Sequence, residues 1–144
     1  MPLARRGRKL PVQGRYGTFW HRYNHDGYGE TADGGPFPGP GHCGRLWPIF
    51  AGERGEYELA AGQPAAARGR LADIAATASE GLMLPEQVWD DQAPPGRTPG
   101  TGTLSATPLG WTHAQFVRLA WSIEAGRPVE RPDLVACRYA LRCR

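Results

Sequence analysis

Residues 107–126, "TPLGWTHAQFVRLAWSIEAG", are where the reading of the fold turns. Their apolar positions recur every three to four residues instead of alternating, which predicts a helix. Thr107 serves as N-cap and Pro108 stands at the first helical position; Gly126 closes the helix, with Pro128 beyond it. Leu109, Phe116, Leu119, Ala120 and Ile123 fall on one side, and Trp111, Val117 and Trp121 on another. A helix that is apolar on two faces is one covered on both. With so few helices in 144 residues, this one expects neighbours that the chain does not contain.

Two more helices are legible upstream. The first runs over 47–61, with Pro48 in its first turn and Gly62 at its end. Its apolar positions step through Leu46, Phe50, Tyr57 and Ala60, and Glu53 falls on that stripe. There Glu53 is either a buried carboxylate, which must be paired to be tolerated, or an exposed charge at the stripe's edge. Arg54 and Glu58 read as a surface pair one turn apart. The second helix runs over 64–80 with Leu71, Ile74, Ala75 and Ala78 on one face. No strand alternation stands out, so the class is all-α with long loops. Residues 1–14 read as a loose basic tail, 15–130 as the folded body and 131–144 as a C-terminal tail.

Arg5, Arg6, Arg8 and Lys9 at one end and Arg138, Arg142 and Arg144 at the other hold 7 of the 17 basic side chains. The stretch between them carries 10 basic against all 14 acidic residues, so the net +3 is not a basic surface. Nucleic acid is excluded as a partner on that ground. No run approaches the length of a membrane span. The first ten residues lack the apolar stretch of a secretory signal; localisation stays open. Cys43, Cys137 and Cys143 have no metal-ligand spacing, and neither a metal nor another cofactor is called for.

Glycine and proline number 20 and 14, a share at which disorder is a concern, but five tryptophans and five tyrosines argue for order. The long 15–45 segment carries Tyr16, Phe19, Trp20, Tyr23, Tyr28 and Phe37, and a loop of that length is usually functional. Candidate chemistry lies in loops. "LPEQVWDD" (84–91) sets a lone Glu86 between Pro85 and Trp89; "HRYNHDGYGE" (21–30) holds Arg22, Tyr23 and Asp26; Trp47 follows Arg45. Sugars want this mixture, because charged groups grip hydroxyls and aromatic faces cover pyranose rings. The plainer alternatives are a core Trp89, a solvated turn at Asp90 and Asp91, and an Arg22–Asp26 pair that only braces its loop.

"FWHRYNHDGYGE", "GRLWPIFAGERGEYELAAG", "MLPEQVWD" and "PGTGTLSATPLGWTHAQFVRLAWSI", followed by "GRPVERPDLVACRY", occur in this order over about residues 14–139. Together they resemble the C-terminal part of the bacterial glucoamylase-type enzymes of glycoside hydrolase family 15, which also holds glucodextranases and some trehalases. The resemblance implies about the last third of an (α/α)6 barrel. It implies inverting hydrolysis of terminal α-glucosidic bonds with release of β-glucose, on an α-glucan or oligosaccharide. Glu86 matches the family's general base, Arg22 with Asp26 its glucose-binding loop, and Trp47 an aromatic on the leaving side. Tyr23 and Trp89 are carried as substrate contacts, Tyr28 and Trp20 as weaker lining residues, and Glu53 as structural support. Leu104 stands where the family favours glycine, and Cys43 where a small apolar residue is usual. The family's general acid belongs to an earlier, Trp/Glu-rich segment with no counterpart here. The expected partner is therefore the N-terminal part of such a barrel, and the chain alone is expected to be inactive. The alternative is a non-catalytic α-glucan-binding relative.

Overall fold

The computed structural model describes residues 10–14, 16–37 and 44–140; the N-terminal basic cluster, Cys43 and the last four residues lie outside the described residues. The chain forms β1 (Pro11–Gly14), β2 (Gly17–Trp20), α1 (Pro48–Ala60), α2 (Pro64–Ala75), α3 (Gly110–Glu124) and α4 (Asp133–Ala140). The three expected helices are present, and the architecture is mainly helical.

Two segments read as tails are structured. β1 and β2 pair antiparallel, Pro11 opposite Trp20 and Gly14 opposite Gly17. Strands of four residues, with a proline and two glycines between them, carry too little alternation to be seen in the sequence. Helix α4 occupies the C-terminal tail, with Asp133 in its first turn and Arg138 in its last, each complementing the helix dipole.

The core gathers Phe19 of β2 with Leu46, Ala51 and Leu59 around α1, Ala67 and Ile74 of α2, and Leu119 of α3; Leu84 and Val88 add the loop floor. The inner face of α1 is not the expected stripe. Pro48, Ala51, Gly52, Gly55, Glu58 and Leu59 are buried, while Tyr57 is 62% exposed and Glu53 lies in solvent. Small residues explain the rotation. A Cβ at Gly52 would stand 2.3 Å from Cγ of Gln115, and one at Gly55 2.7 Å from a Leu119 methyl. Glycine lets α1 and α3 approach backbone to side chain, a contact that hydropathy periodicity does not register.

The buried carboxylate of α1 is thus Glu58, not Glu53, and its pairing is not a surface one. Arg54 Nε donates to it at 2.9 Å and Arg70 Nε of α2 at 3.2 Å, with Glu58 only 3% exposed. Arg70 also reaches Asp73 at 3.4 Å, and Asp73 accepts the Thr18 N–H at 3.2 Å. This chain of charges ties the hairpin to both helices. Burial alone would raise the Glu58 pKa, but Arg70 and Arg54 outweigh it and hold the group below the ordinary carboxyl value.

Helix α3 starts later than its sequence suggests. The Thr107–Pro108 peptide is cis, and Leu109, the N-cap, donates its N–H to Leu84 O at 2.9 Å. Residues 107–109 therefore belong to the 84–89 loop rather than to the helix. The inner face of α3 is Thr112, Gln115, Leu119 and Ser122, with Phe116 and Ile123 partly buried beside it. Trp111, Val117 and Trp121 are 70%, 63% and 64% exposed, so the second apolar face has no cover within the described residues.

Candidate active site

Backbone bridges assemble three loops that are far apart in sequence. Trp20 at the end of β2 bridges to Trp47, Leu46 bridges to Val88, and Val88 bridges to Gly102. The segment around Glu86 is thereby held on both edges. On one edge the Val88 N–H donates to Leu46 O at 2.8 Å; on the other the Glu86 N–H donates to Ala106 O at 2.9 Å and the Trp89 N–H to Thr101 O at 3.0 Å. From below, Thr112 Oγ1 of α3 donates to Pro85 O at 3.0 Å, and His113 Nε2 accepts the Leu84 N–H at 2.9 Å. A side chain on such a frame keeps its direction, as catalysis requires.

Glu86 lines a cavity of about 210 Å³ together with Tyr28, Glu30, Phe37, Gln87 and Ser105. Burial raises its pKa above the ordinary carboxyl value, a backbone hydrogen bond from Ala106 and the charge of Arg22 pull it down, and the charge of Glu30 pushes it up. The net effect is upward: a carboxylate made more basic than a free one while a guanidinium still favours its ionised form.

Arg22 and Asp26 form a two-point ion pair, Nε to Oδ2 at 2.8 Å and a terminal nitrogen to Oδ1 at 2.7 Å. Asp26 also accepts the Tyr28 N–H at 3.1 Å. The turn between them is made by His25 in the left-handed region, φ 63°. Burial pushes Asp26 up, yet the bonds from Arg22 and Tyr28 win and keep it ionised below its ordinary pKa. The guanidinium carbon lies 4.8 Å from the Trp47 ring centre, 4.7 Å from that of Tyr28 and 5.3 Å from that of Tyr23. Tyr28 in turn stands 4.7 Å from Phe37 and 6.0 Å from Trp47, centre to centre. Tyr28 thus joins the arginine clamp to the cavity. Trp47 is buried, and its indole N–H has no hydrogen-bond partner. That is an uncommon state for a buried tryptophan.

Not every expected residue is brought in. Tyr23 is 54% exposed and packs on the outer side of Arg22. Trp89 is 1% exposed and lies outside the cavity lining, with the Arg45 guanidinium 4.9 Å above its ring. It props the loop from beneath and offers no ring face to a ligand. Glu53 borders a separate groove with Arg22, Phe50 and Arg54. Leu104 does not take the left-handed backbone that would call for glycine.

The cavity also holds residues the sequence reading passed over. Gln87, 1% exposed, accepts the Arg45 N–H through Oε1 at 2.9 Å and locks the 84–89 loop to the start of α1. Glu30, 1% exposed, is a second carboxylate beside Glu86. The only sequence signal for it was its place at the end of "DGYGE", two residues after Tyr28.

No family model matches the chain. It is 43% identical over 126 residues to a glucoamylase of Clostridium sp. (strain G0005), a match covering 88% of this chain and 16% of that protein. It superposes with a TM-score of 0.81 and 40% identity on the crystal structure of a bacterial glucoamylase complexed with acarbose, covering 91% of this chain and 18% of that one. The chain is glucoamylase-like. Its helices and loops follow the matched part of a glucoamylase, an (α/α)6 barrel enzyme of glycoside hydrolase family 15. It spans under a fifth of the length of either glucoamylase it matches.

Proposed function

We propose that the Glu86 cavity is the water-activating part of an inverting, exo-acting α-glucosidase site for α-glucans or their oligosaccharides. The observation that carries this reading is the aimed, half-buried Glu86 carboxylate in a cavity walled by Tyr28 and Phe37 and joined through Tyr28 to the Arg22–Asp26 clamp. Glu86 takes a proton from water as the water oxygen bonds to the anomeric carbon, while the glycosidic oxygen leaves from the opposite face. Arg22 and Trp47 border the glucosyl unit. The acarbose held by the related bacterial glucoamylase is the kind of ligand such a pocket takes.

The leaving oxygen needs a proton from a second carboxyl group, about 6.5–9.5 Å from the base. Asp26 is unsuited, because Arg22 holds it ionised. Glu53 is unsuited, because it is exposed beside another groove. The family resemblance implies an acid on an earlier, Trp/Glu-rich segment of the barrel. On that ground we assign the acid to a segment resembling the N-terminal part of the barrel, and expect no appreciable maltose hydrolysis by the chain alone. Asp26's commitment to Arg22 equally favours a second reading, an α-glucan-binding relative without catalysis. Tryptophan fluorescence during titration with acarbose tests what both share: a saturable change in the wild-type chain, weakened in Glu86→Ala. A folded chain that gives no response overturns both. Substantial turnover of maltose overturns the missing acid.

A further inference from the structure

Glu30 is the one carboxylate of the cavity to which the mechanism gives no task. The residue is 1% exposed and its Oε2 has no hydrogen-bond partner, although buried carboxylates are held by donors almost without exception. Arg22 is committed to Asp26. Arg45 directs one terminal nitrogen to Thr31 O at 3.5 Å and the other to Asp90 at 3.4 Å, and among the described residues its buried Nε makes no hydrogen bond, to Glu30 or to any other group. Glu30 and Glu86 line the same cavity, and among the described residues the rest of its wall is uncharged: Tyr28 and Phe37 give ring faces, Gln87 and Ser105 neutral polar atoms. Two carboxylates repel an anion. What satisfies a bare carboxylate oxygen beside aromatic rings is a neutral hydroxyl donor on an otherwise apolar frame, which describes a sugar ring.

We infer that Glu30 is a ligand-binding residue of the site, its Oε2 accepting a hydrogen bond from a hydroxyl of the sugar held against Glu86. The inference rests on the sugar-site reading above and adds a contact to it. A group that binds ligand at the expense of the empty fold leaves a distinct signature, because its removal should not weaken the protein. In Glu30→Gln the buried unpaired charge is gone while shape and one acceptor remain. The variant should unfold at the same or a higher urea concentration than wild type.

The test uses the full chain and maltose, a ligand without charge, followed by tryptophan fluorescence with and without EDTA. Wild type binds saturably, Glu30→Gln binds about tenfold or more weakly, and EDTA changes neither, the scale being that of a lost charge-assisted hydrogen bond. Glu30→Ala, which removes the acceptor altogether, binds no better than Glu30→Gln. Equal affinity in Glu30→Gln and wild type overturns the inference and leaves the sugar site standing. A lowered urea midpoint in Glu30→Gln assigns the carboxylate to the fold and overturns it too, as does binding that EDTA abolishes. A folded wild-type chain that does not bind maltose or acarbose overturns the sugar site itself, and this contact with it.

Discussion

Breaking the Arg22–Asp26 pair gives the sharpest energetic test of how the site is held. Its two hydrogen bonds are 2.8 and 2.7 Å long, the Asp26 side chain is 1% exposed and the Arg22 side chain 28%. A fully exposed pair is worth about 0–1 kcal/mol, whereas removing one partner of a buried pair costs about 3–5 kcal/mol, because a charge is left without compensation. With one end buried and the other partly wet, Arg22→Ala is expected to cost about 2–3 kcal/mol. Asp26→Ala should cost a similar amount, since the Tyr28 N–H loses its acceptor as well. The double variant should cost much less than the sum, giving a coupling energy of about 2 kcal/mol. Urea denaturation of the four proteins, followed by tryptophan fluorescence, measures it. A coupling below about 0.5 kcal/mol, the size of an ordinary surface pair, would refute the reasoning.

Two further outcomes follow from the same geometry. Glu86 has a raised pKa, so between the ordinary carboxyl value and that raised value the folded chain keeps a proton that the unfolded chain has released. This group's contribution to stability therefore falls as pH rises through that window; Glu58, whose pKa is lowered, contributes fully above the ordinary value and is lost as pH falls through its folded pKa. Urea midpoints across roughly pH 4 to 7 should lose the Glu86 component in Glu86→Gln, and an unchanged profile would contradict its assigned surroundings. Gly55→Ala gains about 1 kcal/mol of helix propensity but forces a methyl to within 2.7 Å of the enclosed Leu119. Overpacking at about 2–3 kcal/mol wins, and a net loss of about 1–2 kcal/mol is expected in the same assay.

Much of the site was legible because its parts are local. Arg22 and Asp26 lie one turn of chain apart, and Glu86 sits in a Pro-flanked loop, so short motifs carried them, and the family resemblance of those motifs nominated their roles. The parts that stayed hidden depend on long-range backbone pairing. The bridges Trp20–Trp47, Leu46–Val88 and Val88–Gly102 bring Glu30 to Glu86, and nothing in "DGYGE" encodes that meeting. They also bury Trp89 beneath Arg45, where a sequence reading sees only a tryptophan beside a glutamate.

The fold shows the same division. The periodicity of α2 and α3 reported helices, although α2 ends at Ala75 and leaves 76–80 outside it, and the two-faced apolar pattern of α3 matched a helix with one face uncovered among the described residues. On α1, by contrast, apolar size was the wrong guide to the buried side. The helix touches α3 through Gly52 and Gly55, so the bulky Tyr57 faces out and Glu58 faces in, neutralised by Arg54 and Arg70. The hairpin went unseen because four-residue strands hold too few side chains to show a period of two.

Glu86 as the base is tested most directly with a substrate whose leaving group needs no acid. α-Glucosyl fluoride loses fluoride without protonation, so a chain with the base alone should hydrolyse it, and the anomeric configuration of the product can be read by NMR before mutarotation. The expected result is hydrolysis above the buffer rate, with β-glucose as first product, abolished in Glu86→Gln and retained in Glu53→Gln. Formation of α-glucose, or equal rates for wild type and Glu86→Gln, would contradict the account.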